Sequence, residues 1–197
     1  MFIELTDHLR CPADHDEAFL VLLPDRLEGR SVRTGTLGCP VCDRRFVLED
    51  GVVDFAGEPV PSPAGEGGAL TADAMVPLVG LNGPGGYLVV VGSPGGSWRE
   101  LAALLPGVSL VAVNPPVGVL DSEGVSVLRG GRLPLKTRSM RGVVLGRSYG
   151  GDASWVREAA RVVLPGLRVV GEGAPPPPAL MEIMASAEGV WVGTGRR

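Results

Sequence analysis

The pattern of apolar and polar positions changes near residue 70. From that point, short apolar runs alternate with stretches of helical periodicity, which favours a parallel sheet of the doubly wound type. We predict strands at residues 87–91, 109–113, 125–128, 142–145, 167–170 and 190–193. We predict helices at residues 72–79, 98–105, 153–163 and 179–187.

Side-chain signals mark two of these helix starts. Ser97 and Glu100 have the spacing of a capping box, which predicts that a helix begins directly after the glycine-rich turn before it. Asp152 is a predicted N-cap for the helix at 153–163, and Pro165-Gly166 predicts its end. These signals support the alternation of helices and strands.

Before residue 60 the pattern is of β type. Apolar-rich runs at 19–23 and 44–55 predict short strands, and Asp50-Gly51 predicts the hairpin turn that divides the second run. Residues 58–69 are rich in Pro, Gly and Glu, which is typical of a linker. The chain is therefore predicted to contain a small β domain at 1–57, this linker, and an α/β domain at 70–197.

All three cysteines lie in the β domain. Cys39 and Cys42 belong to a Cys-Pro-x-Cys turn, which lets two thiolates converge on one metal ion. An earlier turn begins at Cys11 and has Asp14 where a second cysteine would stand, with His15 one residue later. Three interpretations stay open: zinc bound by Cys11, His15, Cys39 and Cys42; zinc with Asp14 in place of His15; or a metal-free ribbon held by its own core.

The surroundings of the Cys-Pro-x-Cys turn form a longer motif. A predicted strand enters the turn, Phe46 follows four residues after Cys42, and Asp50-Gly51 leads into a final apolar strand. This motif resembles the small zinc-ribbon proteins that activate tRNA and protein methyltransferases, over about residues 9–55. The resemblance implies a structural zinc ion. It also implies a methyltransferase-type partner, because such ribbons add a strand to their partner's sheet.

A second resemblance covers about residues 70–193. Residues 87–96, YLVVVGSPGG, join a strand to a glycine-rich turn, and residues 155–170 join a helix to a strand through a Pro-Gly turn. With residues 133–150 they resemble the S-adenosylmethionine-dependent, Rossmann-type methyltransferases. The resemblance implies a cofactor site, and the residues at its positions are Gly92, Ser93, Gly95, Gly96 and Asn114.

The predicted domain is trimmed relative to that family. The connections at 114–124 and 129–141 are short for crossover helices. The further antiparallel strand that the family usually carries after its fifth strand is not evident in the sequence.

Three positions depart from the family's cofactor site. Val90 stands where an acid belongs near the end of the first strand, and Pro94 replaces the second glycine with a ring that lacks an N–H. Asn114 stands where a carboxylate takes the ribose hydroxyls, and a hydrogen bond to a charged group contributes about 1.5–3 kcal/mol. We therefore predict that S-adenosylmethionine binds with a Kd above about 100 μM, or not at all.

Composition and charge exclude several classes of protein. The chain has 197 residues and a net charge of −4, and neither half carries the basic patch that grips nucleic acid. No apolar run is long enough to span a bilayer, and the first residues lack the pattern of a signal peptide, so a cytoplasmic protein is predicted. No Ser/His/Asp set is evident, since both histidines lie in the β domain, and neither paired carboxylates in a plausible cleft nor a phosphate loop with a lysine is visible.

The sequence thus predicts an α/β protein in which a zinc-ribbon-like domain precedes a trimmed, doubly wound, methyltransferase-like domain. Its degenerate cofactor loop favours a non-catalytic scaffold or regulatory protein that binds a protein partner, either a second copy of itself or another methyltransferase-type protein. The alternative is an active S-adenosylmethionine-dependent methyltransferase with a divergent loop. A metal-dependent adaptor for nucleic acid or ribosomes is a third class, which the lack of a basic face disfavours.

Overall fold

Eleven strands form one continuous mixed sheet in the computed structural model, which describes residues 1–56 and 70–195. In chain order they are β1 (Val21–Glu28), β2 (Ser31–Gly38), β3 (Arg45–Glu49), β4 (Val52–Asp54), β5 (Tyr87–Val91), β6 (Ser109–Val113), β7 (Val125–Arg129), β8 (Gly142–Leu145), β9 (Arg168–Glu172), β10 (Glu182–Ala187) and β11 (Val190–Thr194).

The α-helices of the described residues are α1 (Ala72–Val79), α2 (Trp98–Leu104), α3 (Arg147–Gly150) and α4 (Ala153–Val162). Two 3-10 helices lie at Ile3–His8 and Ser93–Ser97. None of the described helices has the length and apolar character that crossing a membrane requires.

The second half of the sheet has the doubly wound arrangement predicted from the sequence. Strands β5 to β9 are parallel and lie in the order β7-β6-β5-β8-β9, so the chain starts in the middle and winds outward in both directions. This is the spatial order of the parallel strands in dinucleotide-binding folds, where ligands bind outside the carboxyl ends of the strands at the reversal point.

The predicted helix at 179–187 is wrong, because most of that segment is strand β10. It forms an antiparallel hairpin with β11, and β11 in turn pairs antiparallel with β9. Glu188 and Gly189 at the hairpin turn have φ values of 52° and 75°, as a tight two-residue hairpin turn requires. Strand pairing therefore overrides the helix propensity of Met and Ala. Strand β11 is the strand predicted at 190–193, and β10 is the strand that the sequence did not reveal.

The two predicted helix starts have different outcomes. Asp152 is an N-cap, since its carboxylate accepts hydrogen bonds from the amides of Ser154 at 2.7 Å and Trp155 at 3.3 Å. Helix α2 does begin at Trp98, but the capping box is wrong because Ser97 makes no side-chain capping bond. A 3-10 turn runs directly into α2, so Ser97 lacks the extended backbone that a capping residue normally has.

The β domain is built into the same sheet. Strands β1 to β4 form an antiparallel ribbon, with Asp50 and Gly51 at positive φ in the turn between β3 and β4. Strand β4 then pairs parallel with β7 through Val53 opposite Leu128. The predicted linker at 58–69 lies outside the described residues.

Two apolar layers cover the second half of the sheet. On one face, α1 and α2 pack on side chains such as Leu88 and Val90. On the other face, α4 and the first residues of the chain pack on the alternate positions, such as Val89 and Val91. The described residues 114–124 and 130–141 hold no helix. The amino-terminal segment therefore supplies cover on the face where residues 130–141 form no helix.

Candidate functional site

Four side chains from three parts of the β domain converge at one point. Cys11 follows the first 3-10 helix, His15 lies in the next loop, and Cys39 and Cys42 form the turn between β2 and β3. Their ligand atoms all lie within 4.8 Å of one another. Asp14 is exposed and is not part of this cluster.

The spacing of these atoms fits a tetrahedral zinc ion. Bonds of about 2.3 Å to sulfur and about 2.0–2.1 Å to nitrogen would place two sulfurs roughly 3.8 Å apart, and a sulfur and a nitrogen roughly 3.5 Å apart. The Sγ atoms of Cys11 and Cys42 are 3.7 Å apart, and Cys39 Sγ lies 3.5 Å from His15 Nε2. The donor set, three thiols and one imidazole, is also one that structural zinc sites use.

The hydrogen bonds around the cluster orient its ligands. His15 Nδ1 lies 2.6 Å from the Asp16 carbonyl oxygen, which can only accept, so Nδ1 carries the proton and Nε2 is free to bind a metal. This bond is the main reason that the pKa of His15 is raised. The Val41 amide donates to Cys39 Sγ at 3.5 Å, as expected for a Cys-Pro-x-Cys turn that stabilises thiolates.

The thiols of the cluster differ in acidity. Burial raises the pKa of Cys11 to about 11. Burial also raises the pKa of Cys39, but hydrogen bonds from the backbone of Cys42 and Val41 outweigh it, and the pKa of Cys39 is about 7. A metal that binds here must displace protons from sulfur, so metal affinity is expected to rise with pH.

The glycine-rich loop after β5 is closely packed rather than open. Gly92 has a φ of 74°, and residues 93–97 then form a 3-10 turn in which Pro94 and Gly95 are buried. A Cβ on Gly146, directly after β8, would lie 2.7 Å from Pro94 Cδ and from Ser93 Oγ. The proline ring therefore fills the space between the loop and the end of β8.

Proline side chains also close the loop on the side of β6. A Cβ on Gly95 would lie 3.0 Å from Pro115 Cβ, and a Cβ on Gly96 would lie 3.6 Å from Pro116 Cγ. Pro115 therefore lies tightly against Gly95, whereas Pro116 lies at ordinary van der Waals distance from the side-chain position of Gly96. Sequence reasoning gave these prolines no role. Their position just after β6, a strand that ends beside the loop, is the signal that could have indicated one.

Asn114 has both atoms of its side-chain amide engaged within the protein. Its Nδ2 donates to the Gly130 carbonyl at 2.8 Å, and its Oδ1 accepts from the Gly130 amide at 3.0 Å. The residue is buried and has a φ of 48°. Val90, the other strand-end position, is fully buried under α1 and α2.

A cavity of about 560 Å³ lies beside the loop, between α1 and α2. Its floor includes Ser93 and Pro94, and its walls come from the first turn of α1 and one face of α2. Of the five residues predicted to bind a cofactor, only Ser93 lines this cavity. Gly92, Gly95, Gly96 and Asn114 do not contribute to its walls.

Comparison with known proteins gives only distant likenesses. No protein-family model matches the chain, and no curated protein matches it. Several similar solved structures are methyltransferases.

One similar structure is a complex between the Haloferax volcanii Trm112 methyltransferase activator and a proposed methyltransferase, with 21% identity and a TM-score of 0.41; the match covers 51% of this chain and 50% of that chain. Geranyl diphosphate C-methyltransferase from Streptomyces coelicolor A3(2) matches with 18% identity and a TM-score of 0.44, over 51% of this chain and 41% of that chain. The match thus spans half or less of the length of these structures. These values are too low to assign the chain to a family.

The loop that carries Cys11 and His15 is bound to the second half of the molecule. Glu17 accepts hydrogen bonds from the amide and the hydroxyl of Thr137, at 3.1 Å and 2.6 Å. The Arg10 amide donates to the Pro134 carbonyl at 3.0 Å, and the Lys136 amide donates to the His8 carbonyl at 2.7 Å. Hydrogen bonds therefore connect the loop that carries Cys11 and His15 to the segment between β7 and β8.

A buried carboxylate at the end of β9 was missed by sequence reasoning. Glu172 is 1% exposed, and its Oε1 accepts a hydrogen bond from the Leu70 amide at 2.8 Å. Its Oε2 is buried and has no hydrogen-bond partner among the described residues. In the sequence, Glu172 only follows an apolar strand. Nothing near it indicates its hydrogen-bond partner, because Leu70 lies 102 residues earlier.

Proposed function

We propose that this chain is a methyltransferase-like protein that does not transfer methyl groups and acts as a metal-stabilised, partner-binding module. The observation that carries this proposal concerns the polar atoms at the end of β6. A nucleotide-type cofactor would need these atoms, but they are hydrogen-bonded within the protein. A ribose-binding side chain must present free polar atoms at the end of the second strand. Both amide atoms of Asn114 instead bond to Gly130.

The packing of the loop supports the same proposal. Glycines in such loops let the cofactor approach bare backbone. Here Pro94 lies against Gly146, and Pro115 lies against Gly95. A cofactor would have to displace these proline rings, and Pro94 would still offer no N–H to it.

Calorimetric titration with S-adenosylmethionine and S-adenosylhomocysteine tests this proposal. We expect no saturable binding with a Kd below about 100 μM for either compound. A micromolar Kd, or methyl transfer that is lost in Gly92→Val, would overturn the proposal and favour the alternative of an active methyltransferase with a divergent loop.

The same proposal includes one structural zinc ion held by Cys11, His15, Cys39 and Cys42. The chemistry of the donor set and the spacing of the sulfur and nitrogen atoms support it. Zinc here would crosslink the loop after Cys11 to the turn between β2 and β3, and it would stabilise the folded chain.

Elemental analysis of protein produced with ample zinc tests the metal site. We expect about one zinc per chain, retained in Asp14→Ala and lost or greatly weakened in His15→Ala. Protein without zinc would contradict the site. Loss of zinc in Asp14→Ala alone would show that Asp14, and not His15, is the fourth ligand.

In this proposal, the ribbon adds its strand β4 to the sheet of its own chain. One edge of β4 pairs with β3 and the other edge pairs with β7, so β4 has no edge left for the sheet of another protein. A protein partner, whether a second copy or another methyltransferase-type protein, would have to bind a different surface. Light scattering of the purified chain measures whether that partner is a second copy.

A further inference from the structure

The cavity between α1 and α2 has a distinct chemical character. Its lining among the described residues consists of Leu70, Thr71, Ala72, Asp73, Ser93, Pro94, Ser97, Glu100, Ala103 and Leu104. Two of these are carboxylates, three are hydroxyls, and none is Lys, Arg or His. The volume of about 560 Å³ lies in the range that binds small molecules.

The two carboxylates come from different walls. Asp73 lies in the first turn of α1, and Glu100 lies in the first turn of α2. Neither forms an ion pair with any of the residues that the structure describes. Two carboxylates without a cationic partner give this concave space a negative potential, which favours cations and opposes anions.

One further polar group at the cavity lacks a partner. The Oγ atom of Ser93 is buried and forms no hydrogen bond within the described residues. Buried polar groups are normally satisfied, so this hydroxyl is available to a ligand in the cavity. Glu172, which accepts a hydrogen bond from the amide of the lining residue Leu70, is not itself a lining residue.

The rest of the cavity is suited to an apolar body. Pro94 forms part of the floor, and Ala103 and Leu104 lie on the α2 wall, where the Leu104 side chain is 44% exposed. A ligand that fits these features has a donor-rich, positively charged head and an aliphatic chain.

We propose that this cavity binds a small aliphatic amine in its ammonium form. The ammonium group pairs with Asp73 or Glu100, and a diamine engages both carboxylates at once. The aliphatic chain contacts Pro94, Ala103 and Leu104. This site is independent of the proposed absence of methyl transfer, because it lies on the helical side of the loop and uses only Ser93 among the predicted cofactor residues.

Three probes of equal carbon number test the charge preference by calorimetry at low ionic strength. Hexamethylenediamine is doubly positive, hexanediol is neutral, and adipate is doubly negative. We expect saturable binding of hexamethylenediamine with a Kd below about 1 mM, and binding at least about tenfold weaker for the other two. Raising the salt concentration should weaken the binding of the diamine, because the carboxylates are partly open to solvent.

Four variants test the location. Asp73→Asn and Glu100→Gln should each weaken diamine binding by about fivefold or more. Ala103→Trp, which fills the cavity without changing charge, should abolish it. Glu123→Gln removes an exposed carboxylate outside the cavity and should leave the affinity unchanged. Thermal unfolding of each variant verifies that it is folded.

Several results would overturn the inference: no saturable diamine binding, equal binding of hexanediol or adipate, or unchanged affinity in Ala103→Trp. An equal loss in Glu123→Gln would indicate a diffuse charge effect and would also overturn it. Titration of S-adenosylmethionine into the same protein keeps the two proposals separable. Tight cofactor binding would contradict the proposed function, whereas diamine affinity and its variants bear only on the cavity.

Discussion

At the scale of single residues, Asn114 shows why the sequence predicted a position but not a role. Its place at the end of the second strand followed from the apolar run before it. The direction of its side chain depends on Gly130, which follows the third strand and faces Asn114 only once β6 and β7 pair. That proximity is tertiary, so no local pattern contained it. Cys39 and Cys42 were different, because four residues of sequence fix their convergence.

Replacement of the Asn114 amide by a carboxylate should destabilise the protein. In Asn114→Asp an oxygen takes the place of the Nδ2 donor and faces the Gly130 carbonyl oxygen, so a hydrogen bond is lost and a buried charge is added. We expect the free energy of unfolding to fall by about 1–3 kcal/mol, measured by chemical denaturation. Asn82→Asp, at the only other asparagine, lies on the surface and should stay within about 0.5 kcal/mol of the unmodified protein. Equal stability of both variants would contradict a structural role for Asn114.

At the scale of elements, the sequence predicted those whose pattern is local. The buried strands β5, β6 and β8 are continuous apolar runs, and helix α4 has both a cap and an apolar face. Strand β10 was missed because its exposed sequence has no alternation of apolar and polar residues, and its pairing with β11 alone makes it a strand. The addition of β4 to β7 was implied for a separate partner, but nothing local indicated that it occurs within this chain.

The N-cap of α4 should make part of the stability depend on pH. Hydrogen bonds from the Ser154 side chain and amide and from the Trp155 amide hold the pKa of Asp152 below its usual range. The contribution of the ionised cap is therefore complete above the unfolded-state pKa of about 3.9, and is lost as the pH falls through the lower folded value.

Two variants separate the cap from its charge. Asp152→Ala should lower the free energy of unfolding by about 1 kcal/mol at neutral pH, and its difference from the unmodified protein should shrink as the medium is acidified toward about pH 2. Asp152→Asn still caps the helix, so it should retain most of the stability without that pH dependence. Urea denaturation over this pH range measures both effects. A difference in Asp152→Ala that does not change with pH would contradict this assignment.

At the scale of the whole molecule, the ribbon and the doubly wound half share a sheet and a core. The cluster that contains Leu5, Leu9 and Leu37 also contains Val89, Val111 and Trp191. Polar contacts cross the same boundary: the Phe2 amide donates to Ser126 Oγ, and Arg33 pairs with Asp121 at 3.1 Å. We therefore expect the described parts of the chain to unfold together.

The placement of the tryptophans allows a direct test of this coupling. Trp98, Trp155 and Trp191 are the only tryptophans, and all lie outside the ribbon. If the proposed zinc stabilises the whole chain, a chelator should lower the urea midpoint of tryptophan fluorescence in a single transition. His15→Ala should reproduce the shift and should no longer respond to the chelator. If the chelator removes the zinc but leaves the urea midpoint of tryptophan fluorescence unchanged, the two halves unfold separately.

The pairing of β4 with β7 has a consequence for assembly. A ribbon supplied as a separate subunit would leave its partner on dilution, and it would be divided among all the proteins that compete for it. Here the two surfaces belong to one polypeptide, so each meets the other at an effective concentration on the order of millimolar, whatever the abundance of the protein. The ratio of ribbon to sheet is therefore fixed at one to one, and dilution of the protein does not separate the two.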